Sequence, residues 1–275
     1  MSGRMLPNTN QPVYFFFRVA KNVQYPWCNV FIRSSPLSSL DHCLSFQQRG
    51  KHTTWKGVEV MYKAYVFDAY GTVFDVHSVM EKIHQFYPEK GEAISQKWRS
   101  NQIHYFLVRQ LIQDYRPFTD ITRWALLDAL STSGVEVKEE VVSELMEEYQ
   151  HLSPYEEVAS MSDKHPDKTF TIFSNGTTSM LEPLLENNQL SDTFQLLSAD
   201  DVQVYKPHPE AYAYAQEKLG LNKEDILFFS SNPWDITGAA SYGFHTAWVN
   251  RKEQKWPELG IEPTYIIDNL INIPQ

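Results

Sequence analysis

From Tyr62 onward the chain carries two kinds of hydrophobic pattern. Short unbroken apolar runs occur at Tyr65-Val66-Phe67 and at 169–173, 226–229, 246–249 and 265–267. The first three end in small polar residues: Asp68-Ala69-Tyr70-Gly71-Thr72, Ser174-Asn175-Gly176-Thr177 and Ser230-Ser231-Asn232. Apolar runs without polar alternation predict strands buried on both faces, as in a parallel sheet. Between them, residues 179–188 and 209–219 predict helices, the second with Pro209 in its first turn and Gly220 just past its end. Alternating strands and helices imply a doubly wound α/β domain. Ligands of such a sheet sit beyond the carboxyl ends of its strands. That rule gathers Asp68, Ser174, Lys206 and Asp235 around one crevice.

Residues from about 76 to about 155 follow a different pattern. They read as amphipathic helix throughout, at 77–87, 93–113, 120–131 and 139–151, with no strand among them. A helical block inserted after the first strand predicts a cap over the crevice. The expected division is therefore an α/β core from 61–76 and 156–275, with a helical cap at 77–155.

Residues 1–60 show neither pattern, and Pro7, Pro12, Pro26 and Pro36 interrupt every candidate element. This segment holds seven Lys/Arg and two Asp/Glu, against 17 and 32 in the remainder, within a total of −10. A basic, acid-poor, serine-containing start reads as an organelle transit peptide, although it lacks an Arg-rich amphipathic helix. The alternative is a start assigned too far upstream. Lys56-Gly57-Val58 can be encoded by bases resembling a bacterial ribosome-binding site just before Met61, and Met61 is the preferred start.

The acidic balance argues against nucleic acid as a partner, because phosphate binding needs a basic face. No run of eighteen apolar residues exists to span a membrane. The two cysteines, Cys28 and Cys43, both precede position 61, so the remainder suits a reducing cytoplasm. None of the nine histidines pairs with Cys or His at metal-ligand spacing, and no glycine-rich phosphate loop occurs.

The polar strand ends carry a resemblance. Asp68-Ala69-Tyr70-Gly71-Thr72-Val73-Phe74-Asp75-Val76 resembles the first motif of the haloacid dehalogenase superfamily, in the form typical of L-2-haloacid dehalogenases. Ser174-Asn175-Gly176, Lys206 before Pro207, and Ser230-Ser231-Asn232-Pro233-Trp234-Asp235 resemble the second, third and fourth motifs, in order. The resemblance implies a hydrolase that turns small (S)-2-haloacids into 2-hydroxyacids and halide, without a cofactor or metal, commonly as a homodimer.

Taken alone, an aspartate ending a strand is a turn or helix cap, and Lys206 a solvated loop lysine. The resemblance instead makes Asp68 the nucleophile, forming an ester at Cα that water later cleaves. Lys206 would supply the positive charge that a partly desolvated carboxylate needs. Phosphatases of the superfamily carry a second aspartate two positions after the nucleophile and paired carboxylates in the fourth motif for Mg²⁺. Here Tyr70 and a lone Asp235 stand in those places, so a Mg²⁺-dependent phosphatase is the second hypothesis. A catalytically silent binding protein is the third.

By the same resemblance Arg99 stabilises the departing halide, with Asn175 beside it. Ser174 and the backbone near Ala69 and Tyr70 hold the substrate carboxylate, and Thr72 bonds the Asp68 carboxylate. Asp235, with Ser230 and Asn232, orients the hydrolytic water, with Tyr212 nearby. Helix capping is the alternative for Asp235, and core packing for Tyr212. Tyr70, Ile103, Phe118 and Trp234 would line an apolar substrate pocket, though aromatics there also serve as packing. Ser100 stands where relatives carry glutamine, which bears on substrate preference.

Overall fold

The computed structural model describes residues 61–161, 164–165, 168–271 and 273–274. The expectations for residues 1–60 lie outside these described residues.

Six parallel strands form one sheet in the order β3-β2-β1-β4-β5-β6. They are β1 (Ala64–Phe67), β2 (Thr169–Ser174), β3 (Gln195–Ser198), β4 (Ile226–Ser230), β5 (His245–Val249) and β6 (Tyr265–Ile267). β1 and β4 are buried along their whole length, which is why their apolar runs show no alternation, and β2 is buried from its second residue onward, its Thr171 included. Phe67 of β1 stacks on Phe229 of β4 at 4.6 Å, and each such fully buried ring contributes about 1.5–3 kcal/mol.

β1 is central, with β2 and β3 on one side and β4, β5 and β6 on the other. The chain order reverses there, so the crevice opens at the carboxyl end of β1. Register pairs Phe67 with Ile172 and with Phe229, which brings the three polar strand ends level.

β3 was not among the expected strands. It is four residues long, begins with an exposed glutamine and pairs only with β2, so it lacks the continuous apolar run of a central strand.

The helical insertion after β1 contains α1 (Met80–Phe86), α2 (Gly91–Leu111), α3 (Phe118–Thr132) and α4 (Glu139–Glu148). Each expected helix is present, with ends displaced by at most three residues; α1 starts at Met80 rather than 77, because 77–79 form turns. A short α5 (Val158–Met161) follows. The remaining helices are α6 (Thr178–Asn187), α7 (Pro209–Leu219) and α8 (Pro233–Tyr242). Among the described residues no helix is long and apolar enough to cross a membrane.

Trp98 Nε1 donates to the Thr122 carbonyl at 2.8 Å, and Gln102 Nε2 donates to Thr122 Oγ1 at 3.0 Å. Tyr149 OH donates to Gln102 Oε1 at 3.0 Å. These bonds satisfy the polar groups buried between α2, α3 and the end of α4. They also fix the rotation of α2. With Trp98 and Gln102 turned toward α3, Arg99 and Ile103 fall about 100° around the helix, on another face.

Candidate active site

Lys206 Nζ is the centre of the polar cluster beyond β1. It lies 3.0 Å from Asp68 Oδ1, 2.8 Å from Asp235 Oδ2 and 2.9 Å from the Phe173 carbonyl. All three ammonium hydrogens are therefore directed at acceptors. The side chains of Lys206 and Asp235 are wholly buried, and that of Asp68 is 6% exposed. A solvated loop lysine does not describe this geometry. The rings of Phe173 and Phe228 flank the ammonium at 5.1 and 5.2 Å and add cation–π attraction.

Burial alone would lower the Lys206 pKa, but Asp235 and Asp68 outweigh it and raise the pKa above the ordinary lysine value. One cation serves two carboxylates, and Asp235 is the drier. Burial pushes its carboxyl up to about 6 against the opposing pull of Lys206. Tyr212 OH donates to Asp235 Oδ1 at 2.7 Å, so both carboxylate oxygens are engaged. Asp235 is not a helix cap: α8 begins two residues earlier, with Asn232 at its N-cap.

The second oxygen of Asp68 is met by three donors. Asn232 Nδ2 lies at 2.8 Å, Thr72 Oγ1 at 3.1 Å and Ser230 Oγ at 3.4 Å. Residues from the loop after β1, from β4 and from the start of α8 thus converge on one carboxylate.

Arg99 reaches across from α2. Its Nη2 donates to the Tyr70 carbonyl at 3.0 Å and to Asn232 Oδ1 at 3.3 Å. Arg109 and Arg116 pair with Asp114, and Arg123 with Glu139, on other faces of the helical insertion. Helix rotation therefore separates Arg99 from its neighbours.

Ser174 Oγ accepts from the Gly176 amide at 3.0 Å. Asn175 grips the backbone of Lys206: its Oδ1 accepts from Lys206 N at 2.8 Å, and its Nδ2 donates to Lys206 O at 3.2 Å. The resemblance assigns Asn175 to the halide; here its amide also sets the position of the lysine. Ala69 is buried directly after Asp68.

Tyr70 stacks against Phe118 at 5.8 Å and meets Tyr149 at 5.5 Å, while Trp234 packs on Phe106 at 5.2 Å. Gly176 passes so close that a Cβ there would come 2.9 Å from the Tyr70 ring. The Tyr70 hydroxyl and the Trp234 indole N–H are buried without a partner in the structure. Burial raises the Tyr70 pKa well above its ordinary value, so the phenol remains a neutral donor.

A cleft of about 240 Å³ opens beside Arg99. Gly71, His77, Ile103, Arg251 and Lys252 help to line it, and among the described residues no aspartate or glutamate does, Asp68 included. Among the described residues no three His, Cys, Asp or Glu side chains form a group able to hold a metal ion. Arg251 goes unnoticed in the sequence, although it follows β5 at the same carboxyl end as the other strand-end residues. Its Nη2 donates to the Thr72 carbonyl at 2.9 Å and to Glu157 Oε1 at 2.7 Å.

The model of the haloacid dehalogenase-like hydrolases matches residues 62–243. The chain is 38% identical over 208 residues to an (S)-2-haloacid dehalogenase of Pseudomonas putida, covering 74% of this chain and 92% of that protein. It is 41% identical over 196 residues to an (S)-2-haloacid dehalogenase of Xanthobacter autotrophicus, covering 71% and 78%. An L-2-haloacid dehalogenase structure from Xanthobacter autotrophicus, with chloropropionic acid covalently bound, superposes with a TM-score of 0.75. That structure is 34% identical to this chain, and the match covers 78% of this chain and 97% of the other. With the family model matched over residues 62–243, a sequence likeness of this extent and a superposition over most of the chain, the chain belongs to the haloacid dehalogenase-like hydrolases.

Proposed function

We propose that this protein hydrolyses small (S)-2-haloacids to 2-hydroxyacids and halide, with Asp68 as the nucleophile. The supporting observation is the Asp68 carboxylate at the end of β1, held between a buried ammonium and three neutral donors. Asp68 attacks Cα from the side opposite the halogen, the carbon–halogen bond breaks, and an ester forms with inversion. Halide leaves as an anion without needing a proton, and Arg99 meets the developing charge. Water then adds to the ester carbonyl of Asp68, guided by Asp235. The bond between that carbonyl carbon and the product oxygen breaks, releasing the 2-hydroxyacid. The residues at 77–155 act as the cap, and 61–76 with 156–275 as the core. The Arg99 guanidinium, beside the Tyr70 carbonyl, suits an anionic substrate. A cytoplasmic location accords with the absence of cysteine after position 60, and a homodimer belongs to the same reading.

The donor set is less suited to a Mg²⁺-dependent phosphatase. Asp68 faces an ammonium, an amide N–H₂ and two hydroxyls, whereas Mg²⁺ requires several oxygen ligands in octahedral array.

Chloride release from L-2-chloropropionate in the presence of EDTA tests the activity. In a single turnover in heavy-oxygen water, the label should enter Asp68 and the first product should carry none. Label appearing directly in that product would overturn the ester route.

The pH profile follows from Asp235. Its base form is needed for hydrolysis, so turnover should fall as pH drops through about 6, where the carboxyl gains a proton. Lys206 titrates above the ordinary lysine range, so it should not limit activity up to pH ~10. Steady-state kcat against pH checks both limbs, and a flat profile down to pH 4.5 would remove Asp235 from the hydrolytic step.

A further inference from the structure

Arg251 stands behind the catalytic loop rather than in the cluster around Asp68. Its Nη2 donates to the Thr72 carbonyl at 2.9 Å, and its Nη1 lies 3.4 Å from the Gly71 carbonyl. Nε and Nη2 both donate to Glu157 Oε1, at 3.0 and 2.7 Å. The guanidinium also lies 3.6 Å from the centre of the Tyr155 ring. Both charged side chains are largely buried, with 18% and 11% exposed.

These contacts join two stretches of chain. Residues 73–75 and 153–155 run side by side, with Tyr155 N donating to Val73 O at 3.0 Å and Asp75 N to Ser153 O at 2.8 Å. They are the connections by which the chain leaves the sheet for the helical insertion and returns. Arg251 ties the returning connection, through Tyr155 and Glu157, to the loop that carries Thr72. On the other side of this loop, Thr72 Oγ1 donates to Asp68 Oδ2 at 3.1 Å and accepts from the Ser231 amide at 2.9 Å. Gly71 adopts φ +89°, and its carbonyl also accepts from Ser231 Oγ at 2.7 Å. The loop carbonyls are held by Arg251 and Ser231, and the Thr72 hydroxyl by the nucleophile and the Ser231 amide.

We propose that Arg251 is a positioning residue for the reaction, acting through the Gly71–Thr72 carbonyls to keep the Thr72 hydroxyl on Asp68. The proposal rests on Asp68 being the nucleophile, as argued above. A planar guanidinium suits the task because its fixed fork reaches two adjacent carbonyls and a carboxylate at once, whereas an ammonium is a point charge. A buried ion pair is not needed for stability in itself, since apolar residues of similar volume often serve as well. Its place directly behind the nucleophile loop gives it a function that an apolar pair would not perform.

Single-turnover halide release from L-2-chloropropionate, with enzyme in excess, tests this in wild type, Arg251→Met and Arg251→Lys. The amplitude reports the folded fraction and the rate constant reports the positioned carboxylate. The expected result is full amplitude with a rate constant lowered about tenfold to a hundredfold in the Met variant, as for a displaced reacting group. The Lys variant keeps the charge opposite Glu157 without the fork, so its rate should also fall, and it carries the test if the Met variant does not fold. A wild-type rate constant in whichever variant folds, whatever its amplitude or melting temperature, overturns the proposal and leaves Arg251 a stabilising residue only. No release from the wild type would instead defeat the haloacid reading, and that arm separates the two failures.

Discussion

Asp68→Asn should leave the protein folded and stop halide release, with kcat lower by about four orders of magnitude or more, as when an obligatory nucleophile is removed. The substitution is nearly isosteric. The amide oxygen can still accept from Lys206, which lies 3.0 Å from Asp68 Oδ1, so the cluster loses a charge without losing its shape. An amide has no anionic oxygen to attack Cα. No covalent adduct should therefore be detectable by mass spectrometry after mixing with L-2-chloropropionate. Circular dichroism and melting temperature provide the control for folding. Retained turnover in a verified Asn protein would remove the nucleophile from this account.

Lys206→Met should abolish turnover and also destabilise the fold, by about 3–5 kcal/mol, because it breaks a buried charge cluster by removing one partner. Methionine approximates the volume of the lysine stem but leaves Asp68 and Asp235 facing one another without a cation. The pull that Lys206 exerts on Asp235 is then lost, so its carboxyl, already at about 6 in the native protein, rises further. A carboxyl with a folded pKa above its unfolded value near 4 binds protons more tightly in the folded state, so ionising it opposes folding. The stability deficit of the variant relative to wild type should therefore be small near pH 4–5 and grow as pH rises through 6 and beyond. Chemical denaturation of both proteins at pH 5 and pH 8 measures this directly. An equal deficit at the two pH values would mean that Lys206 contributes mainly by packing.

Much of this arrangement is visible in the linear chain. The central strands β1 and β4 stand out because a sheet covered on both faces leaves no polar alternation, and both are buried throughout. The inserted helices stand out because one face of each is apolar at helical spacing, as with Ile94, Trp98 and Phe106 of α2. β3 is less visible because an edge strand of four residues with one exposed end carries little of that signal. Asp68, Ser174 and Ser230 are legible for a topological reason: they end three adjacent parallel strands, and register brings them level. Arg251 obeys the same rule after β5. Its purpose is hidden, however, because its partners Gly71 and Thr72 lie 180 and 179 positions away.

Residue type and order alone determined the α/β architecture, the inserted helices, the strand-end residues and the family to which they point. These follow from burial and hydrogen-bonding rules that act over a few residues. Which groups share a proton, a charge or a carbonyl was decided only by the tertiary structure. The single ammonium between two carboxylates, the rotation of α2 that turns Arg99 inward, and the guanidinium behind the Gly71–Thr72 loop each depend on distances of about 3 Å between distant segments. Electrostatics and hydrogen bonding act over such distances, and only the packed chain sets them.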